Sequence, residues 1–191
     1  MRKQDEDKKQ ALFDATIKLV NEVGFAASSV SKIAKEAGVS PSTLYVYHEN
    51  KEDLIVSAYV SIKKELAERV MRNFDDSLPI RDIVRNFCFA VYEYISNNQD
   101  KGMFLDQFSN TPYTELVNHE ELSRMYAPIW NAFQRGMEQK ILKNVQPKLL
   151  SVFCFYPFAI LANPRHCGAD CVMDEQAVET VFNMTWDAIR Y

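Results

Sequence analysis

Residues 29–54, SVSKIAKEAGVSPSTLYVYHENKEDL, constrain the fold more than any other part of the chain. The stretch fits two short amphipathic helices joined by a glycine turn. Ser29 is placed to cap the first helix, whose inner face is Ile33, Ala34 and Ala37 at helical spacing. Ala34 is small and lets the second helix approach closely. Gly38 stands where the chain must turn, and glycine takes a left-handed backbone there without steric cost. Val39 fills the corner. Ser40 caps the second helix and Pro41 takes its first position, where a missing N–H is no loss. Leu44 faces the core, leaving Ser42, Thr43, Tyr45 and Tyr47 as the outward set. A plain helical hairpin shares each feature singly. Their agreement in spacing points to a helix-turn-helix, which lays its second helix in the major groove of DNA.

The flanking segments fit the same plan. Leu12, Ala15, Leu19, Val20 and Val23 repeat as the buried face of a helix from about Asp7 to Val23, ended by Gly24. Asn50 caps a long helix with Glu52 and Asp53 in its first turn. Its apolar positions are Leu54, Ile55, Ala58, Tyr59, Ile62, Leu66 and Val70.

Residues 11–55 resemble the DNA-binding domain of the TetR/AcrR family of bacterial transcriptional regulators. The matched segments are ALFDATIKLVNEVGF, SVSKIAKEAGVS, TLYVY and NKEDL. One departure is His48, where the family usually has an aromatic residue, most often Phe, packed under the recognition helix; His48 reads as a semi-buried packing histidine in that place. The resemblance and the helical pattern together give an all-α chain of about nine helices. A three-helix helix-turn-helix domain over 1–50 precedes a larger helical effector-binding and dimerisation domain over 51–191. Candidate DNA-contacting residues are Ser29, Lys32, Ser40, Pro41, Ser42, Thr43, Tyr45, Tyr47 and Lys51, with His48 at the end of the recognition helix. Lys51 and the hydroxyls suit phosphates, while Ser42, Thr43 and Tyr45 are placed to reach base edges.

Charge is distributed in keeping with this. The net charge is -4. Residues 1–65 carry ten basic and ten acidic side chains, and residues 66–191 carry twelve and sixteen. The acidity therefore lies outside the reading head. A head that is merely neutral makes few phosphate contacts, so a dimer is needed for useful affinity.

Beyond residue 70 the chain reads as further helices with no alternating strand pattern. One opens at Leu78-Pro79 and runs to about Ser96, and GMFLDQFSN forms a short one. A helical region follows Thr111-Pro112 to about Asn144. Gln146-Pro147 opens a helix apolar on almost every side, in which Pro157 is expected to cause a kink, and Asp174 caps the last. A helix apolar all round must be covered all round. Packing the last two helices against their copies satisfies this, as the resemblance also implies. The expected homodimer interface is Leu149, Val152, Phe153, Tyr156, Val178, Val181, Phe182 and Trp186. Met103, Phe104, Phe108, Tyr113, Met125, Tyr126, Trp130 and Phe133 form an aromatic and methionine-rich stretch expected to line an effector pocket.

Other classes fit less well. No run of about 18 apolar residues could span a membrane, and the charged N-terminus lacks the apolar core of a signal peptide. A cytoplasmic location is expected. No nucleophile elbow, phosphate loop, HExxH or paired-carboxylate frame suggests an enzyme. His48, His119 and His166 are scattered. Cys88 and Cys154 read as core residues. His166, Cys167, Asp170 and Cys171 lie close together, but without zinc-site spacing or a second pair, and read as a polar turn. No metal or cofactor is expected. The leading expectation is a homodimeric repressor that binds a palindromic operator and is released by a small, largely apolar or aromatic effector. The alternative is a helix-turn-helix protein with a structural or interaction role and little DNA sequence preference.

Overall fold

The computed structural model describes residues 2–163, 166 and 174–191. It contains α1 (Arg2–Ala27), α2 (Val30–Glu36), α3 (Pro41–Tyr47), α4 (Lys51–Met71), α5 (Ile80–Asn97) and α6 (Gln99–Ser109). A 3-10 turn (Pro112–Leu116) precedes α7 (His119–Met125), α8 (Ala127–Glu138), α9 (Pro147–Leu161) and α10 (Glu175–Ile189). The all-α expectation holds. Among the described residues, no helix is long and apolar enough to cross a membrane. Cys167, Asp170 and Cys171 lie outside the described residues. Among those described, no group of three or more His, Cys, Asp or Glu side chains could hold a metal ion.

Two compact units divide the chain: Met1–Lys63 with Asp100–Asn118, and Lys64–Gln99 with His119–Tyr191. The division falls within α4 and takes α6 and the 3-10 turn into the first unit. Compactness therefore does not follow the sequence boundary after residue 50.

In the first unit, Leu12, Ala15, Ile33, Leu44 and Leu54 form one apolar cluster, flanked by Phe13, Leu19, Val30, Ala37, Val39 and Tyr47. Burying each Leu or Ile side chain contributes about 1.5–3 kcal/mol. α1 starts earlier than its apolar pattern suggested. Val23, expected on its buried face, is 46% exposed. It lies at the end of the packed stripe, one residue before Gly24 turns the chain at φ 79° and ψ 168°. Thr16 and Ile17 are buried instead, and the Thr16 hydroxyl donates to the Leu12 carbonyl at 2.7 Å. A second cluster gathers Phe25, Tyr59, Phe104, Phe108 and Tyr113, with Tyr59 stacked on Phe108 at 4.1 Å between ring centroids.

The second unit is built around α5, which packs against α8, α9 and α10. Val84, Cys88 and Val91 are fully buried on it. Arg85 lies 4.0 Å over the Phe89 ring and donates to Glu179 of α10. The thiols of Cys88 and Cys154 are neighbours, and burial pushes the Cys88 thiol well above its ordinary range. The helical region expected to reach Asn144 is divided. Pro128 lies in the first turn of a new helix, and the chain leaves α8 after Glu138 with Lys140 at φ 55°. The segment that follows holds the end of α10: the Lys143 N–H donates to Ile189 and the Tyr191 N–H to Ile141, both at 2.9 Å. α9 runs through Pro157 without a break in its helix.

Candidate nucleic-acid interface

The recognition helix is fixed at both ends by its own sequence. The Ser40 hydroxyl accepts the Thr43 N–H at 3.2 Å, and Pro41 occupies the first turn. At its far end the His48 N–H donates to the Leu44 carbonyl at 2.9 Å. The turn before it has Gly38 at φ 67°, with the Val39 N–H donating to Ala34 at 2.9 Å. The Ser29 hydroxyl accepts the Lys32 N–H at 3.4 Å, which caps α2. Leu44 is fully buried and anchors α3 from within.

What α3 turns outward follows helical spacing. Ser42, Tyr45 and Val46 are exposed on it, with Glu49 continuing the same line just beyond its end. Tyr45 is 57% exposed and Val46 75%. Val46 was not among the sequence candidates. The i, i+3, i+4 spacing from Ser42 could have found it. Pro41, Ser29, Lys32 and Ser40 are also exposed. Lys32 uses its ammonium on the Ala27 carbonyl at 3.0 Å. Thr43 is half-buried, and its hydroxyl pairs with that of Ser40 at 2.9 Å.

Three candidates do not stand free on the outer face, and for His48 this is the packed position expected of it. Tyr47 packs on the apolar cluster, and its hydroxyl donates to Asp5 at 2.9 Å. That bond, more than burial, raises the phenol pKa. Lys9 lies 5.4 Å from the ring centroid. Tyr47 is therefore clasped by the start of α1 and not turned outward. His48 is only 7% exposed, with its ring 5.8 Å from that of Phe13. Its Nδ1 pairs with Asp53 at 3.2 Å, while Nε2 is buried with no hydrogen-bond partner. Burial lowers its pKa, partly opposed by Asp53. His48 supports the helix and does not reach its outer face. Lys51 is half-buried and donates to the Phe25 carbonyl at 2.8 Å.

The aromatic candidates are split between the two units. Phe104, Phe108 and Tyr113 belong to the ring cluster of the first unit, alongside a half-buried Met103. Met125, Tyr126, Trp130 and Phe133 belong to the second, with Trp130 and Phe133 5.9 Å apart. Phe104, Phe108 and Phe133 are fully buried against neighbouring rings. Met103, Tyr113, Met125, Tyr126 and Trp130 keep partial exposure. In the second unit, a recess beside Val70, Phe74, Ile83 and Phe87 holds about 10 Å³, room for a single water.

The interface candidates also divide. Leu149, Val152, Phe153 and Tyr156 are exposed along one side of α9, and Ile160 extends the stripe. Val178 and Phe182 are buried within their own chain, Phe182 against Phe89 and 4.9 Å from Arg81. They face inward because the apolar stripe of α10 is satisfied by α5 and α9. Val181 and Trp186 are half-buried.

Comparison with known proteins agrees with this architecture. Residues 12–58 match the model for bacterial regulatory proteins of the tetR family. Residues 79–190, more than half the chain, match the tetracyclin repressor-like C-terminal domain. The chain belongs to the TetR family. This TetR-family chain is similar in structure to a TetR family transcription regulator from Marinobacter aquaeolei VT8. That likeness has a TM-score of 0.87 at 28% identity and covers 100% of this chain and 99% of the other. An HTH-type transcriptional regulator of Haemophilus influenzae is 22% identical over 192 residues, covering the whole of both chains. The match to YhgD, an HTH-type transcriptional regulator of Bacillus subtilis, is 28% identical and spans about half of either chain, 49% of each. As a member of this family, the TetR-family chain is a DNA-binding transcription regulator and not an enzyme.

Proposed function

We propose that the chain is a homodimeric repressor that binds a palindromic operator and is released by a small, largely apolar or aromatic effector. One observation carries the reading: Tyr45 and Val46 stand exposed on a short helix that is capped at Ser40 and anchored by buried Leu44. A rigid helix presenting its side chains in this way is what insertion into a major groove requires. The dimer is supported by the exposed stripe Leu149, Val152, Phe153, Tyr156 and Ile160, too apolar to remain in water. A homodimer supplies two recognition helices for the two half-sites of a palindrome, which lie about 34 Å, one helical turn, apart.

Ser29, Lys32, Ser40 and Pro41 border the groove-facing set, where hydroxyls, backbone N–H groups and ammonium groups grip phosphates and fix register. The effector half of the reading is supported by the partly exposed Met103, Tyr113, Met125, Tyr126 and Trp130. Release follows if the effector favours a conformation whose two heads no longer match adjacent major grooves. A cytoplasmic location follows from the DNA target.

The direct test is operator binding by a Tyr45→Ala variant together with a panel of apolar and aromatic compounds. The variant is expected to lose at least ten-fold in operator affinity, about 1.4 kcal/mol. At least one compound is expected to release the wild-type protein. Unchanged binding by Tyr45→Ala removes the assignment of this helix.

A further inference from the structure

We infer that Val46, with Tyr45 beside it, reads thymine through its 5-methyl group, so that each operator half-site carries a thymine facing Val46. The inference rests on the DNA-binding reading above and names the base chemistry that reading leaves open.

A single exposed valine on a protein surface needs no explanation. Val46 differs in its position. It is 75% exposed on the one helix that the DNA-binding reading turns toward the groove, next to Tyr45 and four residues from Ser42. Valine is β-branched and a weaker helix former than Ala, Lys or Glu, so local preference does not favour it there. Leu44, not Val46, supplies the buried anchor of α3.

The rest of the helix narrows the other ways of reading a base. Over Pro41–Tyr47 the helix holds no Arg, Lys, Asn or Gln. The two-pronged donors that select guanine or adenine are therefore missing from it. The hydroxyls of Ser40 and Ser42 pair at 2.7 Å, those of Ser40 and Thr43 at 2.9 Å, and that of Tyr47 is taken by Asp5. Val46 and Tyr45, 75% and 57% exposed, are left as the large side chains with free reach, and Val46 is the one with no polar atom. Of the groups displayed in the major groove by the four unmodified base pairs, only the thymine methyl is apolar. An aliphatic side chain pressed against any other base edge would strip water from polar atoms without replacing their hydrogen bonds.

The test uses this chain and the operator recovered by selection from random DNA. Each thymine of a half-site is replaced in turn by deoxyuridine, which keeps the pairing edge and removes only the methyl. At one position per half-site, wild-type affinity is expected to fall about four-fold, the worth of one buried methyl group. Val46→Ala is expected to bind the thymine operator more weakly by a similar factor and to bind thymine and deoxyuridine operators equally. Ser42→Ala is expected to keep the deoxyuridine penalty. Val46 is exposed and alanine is the better helix former, so a thermal melt should show Val46→Ala folded. Wild-type indifference to deoxyuridine at every position overturns the inference, as does a penalty that persists in Val46→Ala. Failure of the DNA reading itself is distinct: no preferred sequence would emerge from the selection, before any deoxyuridine is introduced.

Discussion

The phenol of Tyr47 donates a 2.9 Å hydrogen bond to the carboxylate of Asp5, tying the end of the recognition helix to the first turns of α1. An acid is thereby held beside the helix proposed to approach a polyanion. Asp5→Asn removes that charge and weakens the clasp on Tyr47. DNA affinity is expected to rise roughly three-fold at low salt, and the gain to shrink as salt screens the phosphates. Fluorescence anisotropy at two salt concentrations measures it. Equal affinities for Asp5→Asn and wild type at both salts would show that this acid does not oppose binding.

His48 carries a pH dependence of known sign. Burial holds its pKa below the ordinary value of 6.5, and Asp53 only partly offsets this. The unfolded chain therefore takes up the proton before the folded chain does. Stability is full above about pH 6.5 and is lost as pH falls through the depressed folded value. His48→Phe removes both the titration and the unpartnered Nε2. Melting temperatures between pH 5 and 8 are expected to fall toward acid more steeply for wild type than for His48→Phe. Identical slopes would place the acid sensitivity elsewhere.

Gly136 in α8 is a packing glycine. A Cβ there would meet Leu142 Cδ1 at 2.8 Å and Ile80 Cγ2 at 3.0 Å. Both neighbours are buried and have little room to give. Gly136→Ala gains about 1 kcal/mol of helix propensity. Overpacking in a filled core costs about 1–3 kcal/mol. The net expectation is a lower melting temperature. A melting temperature raised by the full propensity gain would show that Leu142 and Ile80 yield freely.

The apolar stripe of α9 leads to an assembly prediction. Phe153 and Tyr156 are 48% and 51% exposed in the single chain and lie on the same side of the helix. Phe153→Glu places a charge in the proposed two-fold contact, where it would be desolvated without a partner. Sedimentation is expected to show a dimer for wild type and a monomer for Phe153→Glu, with unchanged helical circular dichroism. A wild-type monomer at micromolar concentration would remove the dimer from the proposal.

The reading head was legible because its rules are local. Cap, proline, glycine and apolar period act over a few residues, and Ser29, Gly38, Ser40 and Pro41 take the expected places. What failed was long-range. Tyr47 groups with the outward hydroxyls in sequence, but it stands three residues from buried Leu44 on the same face of the helix, and Asp5, forty-two residues earlier, accepts its phenol O–H. Val46 is missing from the outward set read in sequence, although the period of α3 turns it outward. In the aromatic stretch, spacing does not show that Phe104, Phe108 and Phe133 pack fully against neighbouring rings, a matter of three-dimensional contact. Val178 and Phe182 lie on an apolar stripe that α5 and α9 already cover, a fact no stripe reports about itself.

Selection of bound DNA from a random pool, with the full chain at near-physiological salt, tests the central claim most directly. A sequence-specific dimeric regulator is expected to recover one palindromic site with half-sites about one helical turn apart. Recovery of no preferred sequence would contradict it and support a structural role in which the head holds DNA without reading it.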